Sequence, residues 1–265
     1  SRIAFKMKTP LKNNLQFKHT GVVKDLVPLG ANLHSFLLYG GDVELKLAAS
    51  NRNVYAHTNN YLVYEFWKCL LENPKGVSNW VRNLSSLLDP DAVFSNQKMF
   101  AILQDTWSEQ ANPYTRAAFF YLLSRCSDTG LPSSGKFIKE GVNNVSLVNL
   151  ERFQTKNFNI CLDKVENYLE GTSEIPSEDY LLFPVGNYNL NLFEKGKSKG
   201  IETTSVNHRK LCAYLKAEKK NWIILYKYHP RLREMYKDYN ILMIDEYGRQ
   251  TNREMRCKEV VIANF

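Results

Sequence analysis

Asp179-Tyr-Leu-Leu-Phe-Pro-Val-Gly-Asn-Tyr188 is an apolar run that stops in a polar loop. A strand buried on both faces reads as a continuous apolar run. In an open α/β sheet, the loop beyond the carboxyl end of such a strand is where ligands and catalytic groups sit. Here the loop carries Asn187 and Tyr188 but no carboxylate, thiol or imidazole. Around it the C-terminal part of the chain alternates. The pattern predicts strands at 157–161, 180–183 and 222–226, helices at 162–170, 206–217 and 230–239, and terminal strands near 241–245 and 258–263. Strands that alternate with helices imply a mainly parallel sheet covered on both faces.

The N-terminal block has the order of a nucleotide-binding half. A short apolar run at 33–38 meets a tight turn, Tyr39-Gly-Gly-Asp42, followed by a helix at 43–49. A second strand at 53–56 closes on the polar turn His57-Thr-Asn-Asn60. Residues 61–121 instead carry apolar side chains at three- and four-residue spacing, with helices expected at 61–71, 77–88, 97–107 and 114–123. Residues 124–137 are rich in turn formers and are expected to project from those helices as a loop or hairpin. The fold class is therefore α/β, a Rossmann-like sheet with helices on both faces. Residues 1–60 and 157–265 are expected to form it, and residues 61–156 to be a helical insertion.

Composition narrows the partners. Among 265 residues, 44% are hydrophobic, enough for a sizeable core. No apolar run approaches the roughly 20 residues that span a bilayer, and the N-terminus lacks a signal-peptide pattern, so no membrane role is expected. Cys69, Cys126, Cys161, Cys212 and Cys257 show no close pairing, which fits a reducing compartment such as cytoplasm or nucleus. The net charge of +8 favours a polyanionic partner. Basic residues gather at Lys6, Lys8, Lys12, Lys18 and Lys24, at 195–199, and along 209–220 and 227–237. His208 and His229 with Cys212 and Cys257 match no metal-ligand spacing, and no metal is expected. Phe119, Phe120 and Tyr121 read as helix core.

Taken together, these elements resemble the Dam-type DNA adenine methyltransferases, which use S-adenosylmethionine to methylate the exocyclic amine of adenine. Thr20-Gly-Val-Val-Lys24 is similar to that family's N-terminal small-Gly-x-Lys element. The stretch 30–45 falls without gaps on its first strand and glycine-rich cofactor loop, and Val54-Tyr-Ala-His-Thr-Asn-Asn60 on its second strand and acidic turn. Residues 119–131 look like the helix-to-hairpin passage of the DNA-recognition insertion. Residues 207–265, with Arg249-Gln-Thr-Asn252, are similar to the closing helices and strands. The resemblance implies a class I methyltransferase sheet and a nucleic-acid partner.

The chain departs from that family where the chemistry lies. The family places Asp-Pro-Pro-Tyr after the fourth strand, the acid and a carbonyl accepting from the target amine and the tyrosine stacking on the flipped base. With Tyr188 in register, Val185 stands at the acid's position, and Gly186 and Asn187 replace the prolines. With Pro184 as the first proline, Phe183 takes the acid's place. At the cofactor loop, Ser35 and Phe36 stand where the family commonly has Glu and Pro, Tyr39 replaces a glycine, and Gly40 and Gly41 remain. Asp42 is read as a turn or helix cap. At the ribose position, His57 offers one acceptor nitrogen where a carboxylate offers two oxygens. The resulting expectation is a homologue without methyl transfer and without bound S-adenosylmethionine. It would act as a nucleic-acid-binding, structural or partner-binding module. Lys24, Arg125, Lys136 and Lys139 would be the polyanion contacts, with Phe137 beside them for a base. A protein partner and a place in a viral or mobile-element assembly also fit. The alternative is an active adenine methyltransferase with a non-standard loop, in which Asn187 accepts from the amine.

Overall fold

The computed structural model describes residues 8–12, 17–88, 93–139, 141–188 and 206–265. The basic positions Lys6 and 195–199 lie outside them. Among the described residues there are seven strands, β1 (Asn32–Ser35), β2 (Asn53–Thr58), β3 (Phe158–Leu162), β4 (Tyr180–Gly186), β5 (Trp222–Lys227), β6 (Asn240–Ile244) and β7 (Glu259–Ala263). They form one sheet in the order β3-β2-β1-β4-β5-β7-β6. The first five strands pair in parallel, and β7 lies antiparallel between β5 and β6. This is a Rossmann-like α/β sheet of the class I methyltransferase type.

Both faces of the sheet are buried, as the apolar run of β4 requires. Leu182 joins a core shared with the helices on one face, whereas Leu181, Phe183 and Val185 join a second core on the other. The first core takes in α1 (Gly21–Leu26), α2 (Asp42–Ala49), α3 (Tyr61–Glu72), α4 (Pro74–Leu84), α5 (Val93–Thr106), α6 (Pro113–Cys126) and α7 (Asn144–Glu151). Phe119, Phe120 and Tyr121 lie in it, in keeping with their spacing. The second core is closed by α8 (His208–Ala217) and α9 (Pro230–Met235).

Asparagine caps set many of the boundaries. Side chains of Asn60, Asn73, Asn112, Asn143 and Asn207 each accept from a backbone N–H in the first turn of the following helix. Proline follows at the first helical position in α4 and α6, where its missing N–H costs nothing. Between α3 and α6, Arg116 donates through Nε and Nη2 to the two carboxylate oxygens of buried Glu65 at 2.6 Å each, so that neither charge is stranded in the core.

Three expectations are corrected. Residues 162–170 do not form a helix. The run Asp163-Lys-Val-Glu-Asn167 carries one apolar residue and so has no stripe to bury, and only a 3₁₀ turn, Tyr168–Thr172, follows. His57 lies within β2 and is not in a turn. Residues 124–137 do not project. Ser127 and Leu131 are buried, and the Ser124 hydroxyl donates to the Gly130 carbonyl at 2.8 Å, drawing the loop onto the core. Helix α7 has no counterpart among the expected elements. Its Asn143/Ser146 capping box is the signal that marks it.

Candidate functional site

Past β1, the backbone turns where Leu37 adopts φ +72°, a left-handed conformation uncommon for a branched side chain. This explains why β1 ends at Ser35 although the apolar run continues to residue 38. The turn divides the loop between the two cores: Phe36 and Leu37 enter the second, Leu38 and Tyr39 the first. Tyr39 is buried. Its hydroxyl donates to the Gly130 carbonyl at 2.7 Å, and its own carbonyl accepts from Trp67 Nε1 at 3.0 Å. The Gly40 carbonyl accepts from the Thr9 hydroxyl. Gly41, at φ +72°, caps α2, and a Cβ there would meet the Trp67 ring at 2.7 Å. Asp42 stands in the first turn of α2 and pairs with Lys46 at 2.8 Å. Ser35 is fully buried with its hydroxyl unpartnered among the described residues.

His57 sits in a polar chain that crosses four segments. Its Nδ1 lies 3.1 Å from both carboxylate oxygens of Asp163, and its Nε2 lies 3.0 Å from His34 Nδ1. His34 Nε2 lies in turn 3.0 Å from Asp179 Oδ2. Phe36 stacks on His57 with centroids 4.6 Å apart, and Tyr55 stacks on His34 at 4.8 Å. Burial pushes the His34 imidazole below its ordinary range, the bond to Asp179 opposes this, and the neighbouring His57 adds to it. Alongside runs an amide ladder. Asn159 donates to Asn53 at 3.4 Å, Asn53 to Asn32 at 3.0 Å, and Asn32 to Asp179 at 3.5 Å. Nothing in the sequence marks His34, Asp163 and Asp179 as a group, because the partners in this chain lie 23 to 145 positions apart.

At the far end of β4 the surroundings are aromatic. The Val185 side chain is buried in the second core, Gly186 adopts φ +83° at a bulge, and Asn187 follows. Tyr188 is only 6% exposed. Its ring lies 4.7 Å from that of His208 and 4.4 Å from that of His229, and its hydroxyl points to Met235 Sδ at 3.4 Å. Tyr188 thus packs inward. His208 is fully buried, with Nδ1 2.8 Å from the Tyr226 hydroxyl and Nε2 unpartnered among the described residues. Burial, with the nearby His229, pushes its imidazole down to about 4. Among the described residues, no group of three or more His, Cys, Asp or Glu side chains is placed to hold a metal.

The four basic candidates occupy two places. Arg125, Lys136 and Lys139 belong to the end of α6 and the loop after it, with Lys136 and Lys139 exposed. Arg125 Nε donates to the Gly141 carbonyl at 2.8 Å. Phe137 beside them packs on Phe100 at 5.4 Å, which gives its ring a core contact. Lys24 lies on α1, half-buried, and its carbonyl accepts from Arg52 at 2.5 Å.

All five cysteines are free thiols. Among the described residues, no helix is long and apolar enough to cross a membrane. No protein-family model matches the sequence, and no curated protein matches it. Among solved structures, the chain is similar to a predicted O-methyltransferase from Agrobacterium tumefaciens at 9% identity and a TM-score of 0.34, over 88% of this chain and 73% of that one. It is also similar to a precorrin-8W decarboxylase from Methanobacterium thermoautotrophicum at 12% identity and a TM-score of 0.35, over 98% and 99% of the two chains. The order and direction of the seven strands, rather than these likenesses, carry the fold assignment.

Proposed function

We propose that this chain is a methyltransferase-like fold that transfers no methyl group and serves as a nucleic-acid-binding module, descended from the Dam-type adenine methyltransferases that its sequence resembles. The observation that supports this most directly is the burial of Val185 in the second core, at the position of the family's acid. An aliphatic side chain accepts no hydrogen bond from an amine. With Tyr188 turned inward between two imidazoles, its ring is not free to stack on a flipped base. The loss of S-adenosylmethionine binding belongs to the same reading. Phe36, Leu37, Leu38 and Tyr39 fill the end of β1 with buried side chains, and His57 is engaged by Asp163 and His34. Fold and chemistry separate readily, because core packing and site loops depend on different residues.

The proposed nucleic-acid face is the exposed pair Lys136 and Lys139 with Arg125, backed by the +8 net charge. The test is titration of duplex DNA at several salt concentrations, beside calorimetry with S-adenosylmethionine and an assay for labelled methyl groups on adenine. The expected outcome is salt-dependent DNA association, no heat with the cofactor, and no methylated base. Replacing Lys136 and Lys139 with Glu should weaken binding and reduce the salt slope by about one for each phosphate that is no longer neutralised. DNA association independent of salt or absent would overturn the binding role, and methylated adenine would overturn the rest.

A further inference from the structure

The chain Asp163–His57–His34–Asp179 contains a proton count that its geometry fixes. A carboxylate accepts only, so Asp163 requires an N–H at His57 Nδ1, and Asp179 requires one at His34 Nε2. The remaining contact, His57 Nε2 to His34 Nδ1 at 3.0 Å, needs one proton between two nitrogens. Two neutral imidazoles carry two protons, and this arrangement uses three. With two, either one ring turns a lone pair toward a carboxylate or two lone pairs meet across the central contact. With four, two N–H groups face each other across 3.0 Å.

We propose that His34 and His57 hold a single extra proton between two carboxylates, forming a buried proton-dependent clamp. It ties β1 and β2 to the exit of β3 and the entry of β4. Asp163 follows β3 and Asp179 precedes β4, so the clamp spans the connection between those two strands. Titratable groups face it from each neighbouring segment: Tyr55 from β2, Cys161 and Asp163 from β3 and its exit, and Asp179 from the loop before β4. The local charge is therefore two carboxylates against one shared cation. Cys161 adds no charge to this balance, since burial and Asp163 push its thiol up to about 11. Phe36 stacks on His57 and Tyr55 on His34, and both imidazoles are buried. A second proton breaks the central N–H···N bond and drives the rings apart, and the clamp releases in acid. This device is independent of whether the chain binds nucleic acid.

Ring-nitrogen spectroscopy on the full ¹⁵N-labelled chain tests it. The sequence has five histidines, so the rings can be resolved in the wild type, with His34→Gln and His57→Gln as assignment aids. At about pH 6, the expected result is three ring protons on the His34–His57 pair, falling to the ordinary one or two on the surviving ring in either variant. Two protons on the wild-type pair, meaning both rings neutral, would overturn the proposal. So would four, meaning both rings cationic. If neither variant folds, the wild-type count still decides between three and the other values.

Discussion

Beside β1 and β2, His34 and His57 meet each other and two carboxylates, whereas at the end of β4 and β5 His208 has one ring nitrogen without a partner among the described residues, in an aromatic pocket. The two regions flank the same sheet, and both bury imidazoles, yet they treat charge in opposite ways. The first supplies acceptors for every N–H that the proposed shared proton requires. The second surrounds His208 with Tyr188 and Tyr226 and, among the described residues, offers no carboxylate contact to it, so only the neutral ring fits. Burial by itself therefore does not decide what a histidine does. The chemistry of its partners does.

The largest effect should come from placing a charge in the aromatic region. Val185→Asp places a carboxylate where the Dam-type enzymes that the sequence resembles carry their acid, but buries it in the apolar second core. Denaturant unfolding should show a loss of about 4 kcal/mol, the size found when a buried charge is left unpaired. A loss near 1 kcal/mol would mean that water reaches this position and that the two regions differ less than their side chains suggest.

Acid should act on the same region next. The fold holds His208 neutral down to about 4, while the unfolded chain takes the proton near 6.5. Protons thus favour the unfolded state between those values. The contribution of His208 is complete above about pH 6.5 and is lost as pH falls toward 4. At about 1.4 kcal/mol per pH unit, the loss approaches 3 kcal/mol. Urea midpoints taken across that range should follow it, and His208→Gln, which keeps an acceptor for Tyr226 but cannot titrate, should flatten the slope. An unchanged slope in the variant would assign the acid sensitivity elsewhere.

How legible each region is in the sequence follows from the range of its contacts. The sheet can be read because its signal is local: β4 and β5 are continuous apolar runs, and caps such as Asn60 and Asn207 mark where helices start. The end of β4 can also be read, since what Val185 cannot do is a property of valine alone. The histidine chain is hidden. In the sequence His57 stands out only as a substitute for an acid, and nothing adjacent marks Asp163 or Asp179 as its neighbours. Residues 162–170 mislead for the reverse reason. In an alternating fold a helix is due between β3 and β4, but the local run is too polar to bury a face. The loop at 124–137 misleads because turn formers mark a change of direction and say nothing of whether the turn is exposed. Gly130 and Ser127 bend the chain inward, where Tyr39 and Ser124 bond it.

The smallest effect should come from cutting the polar region at its rim. Asp163 is partly exposed, with a side chain 18% accessible against 9% for His57, so water can replace some of what its loss removes. Asp163→Ala should cost about 1 to 2 kcal/mol, and Asp163→Asn, which retains one acceptor oxygen for His57 Nδ1, less. The comparison of the two variants matters more than either value. If Asn and Ala cost the same, the carboxylate acts only as an acceptor that water replaces equally well. If Ala costs distinctly more, the N–H at His57 Nδ1 depends on a protein acceptor. In the aromatic region, the matching substitution at Tyr226, to Phe, removes the hydroxyl beside His208 Nδ1 and leaves that ring as neutral as before.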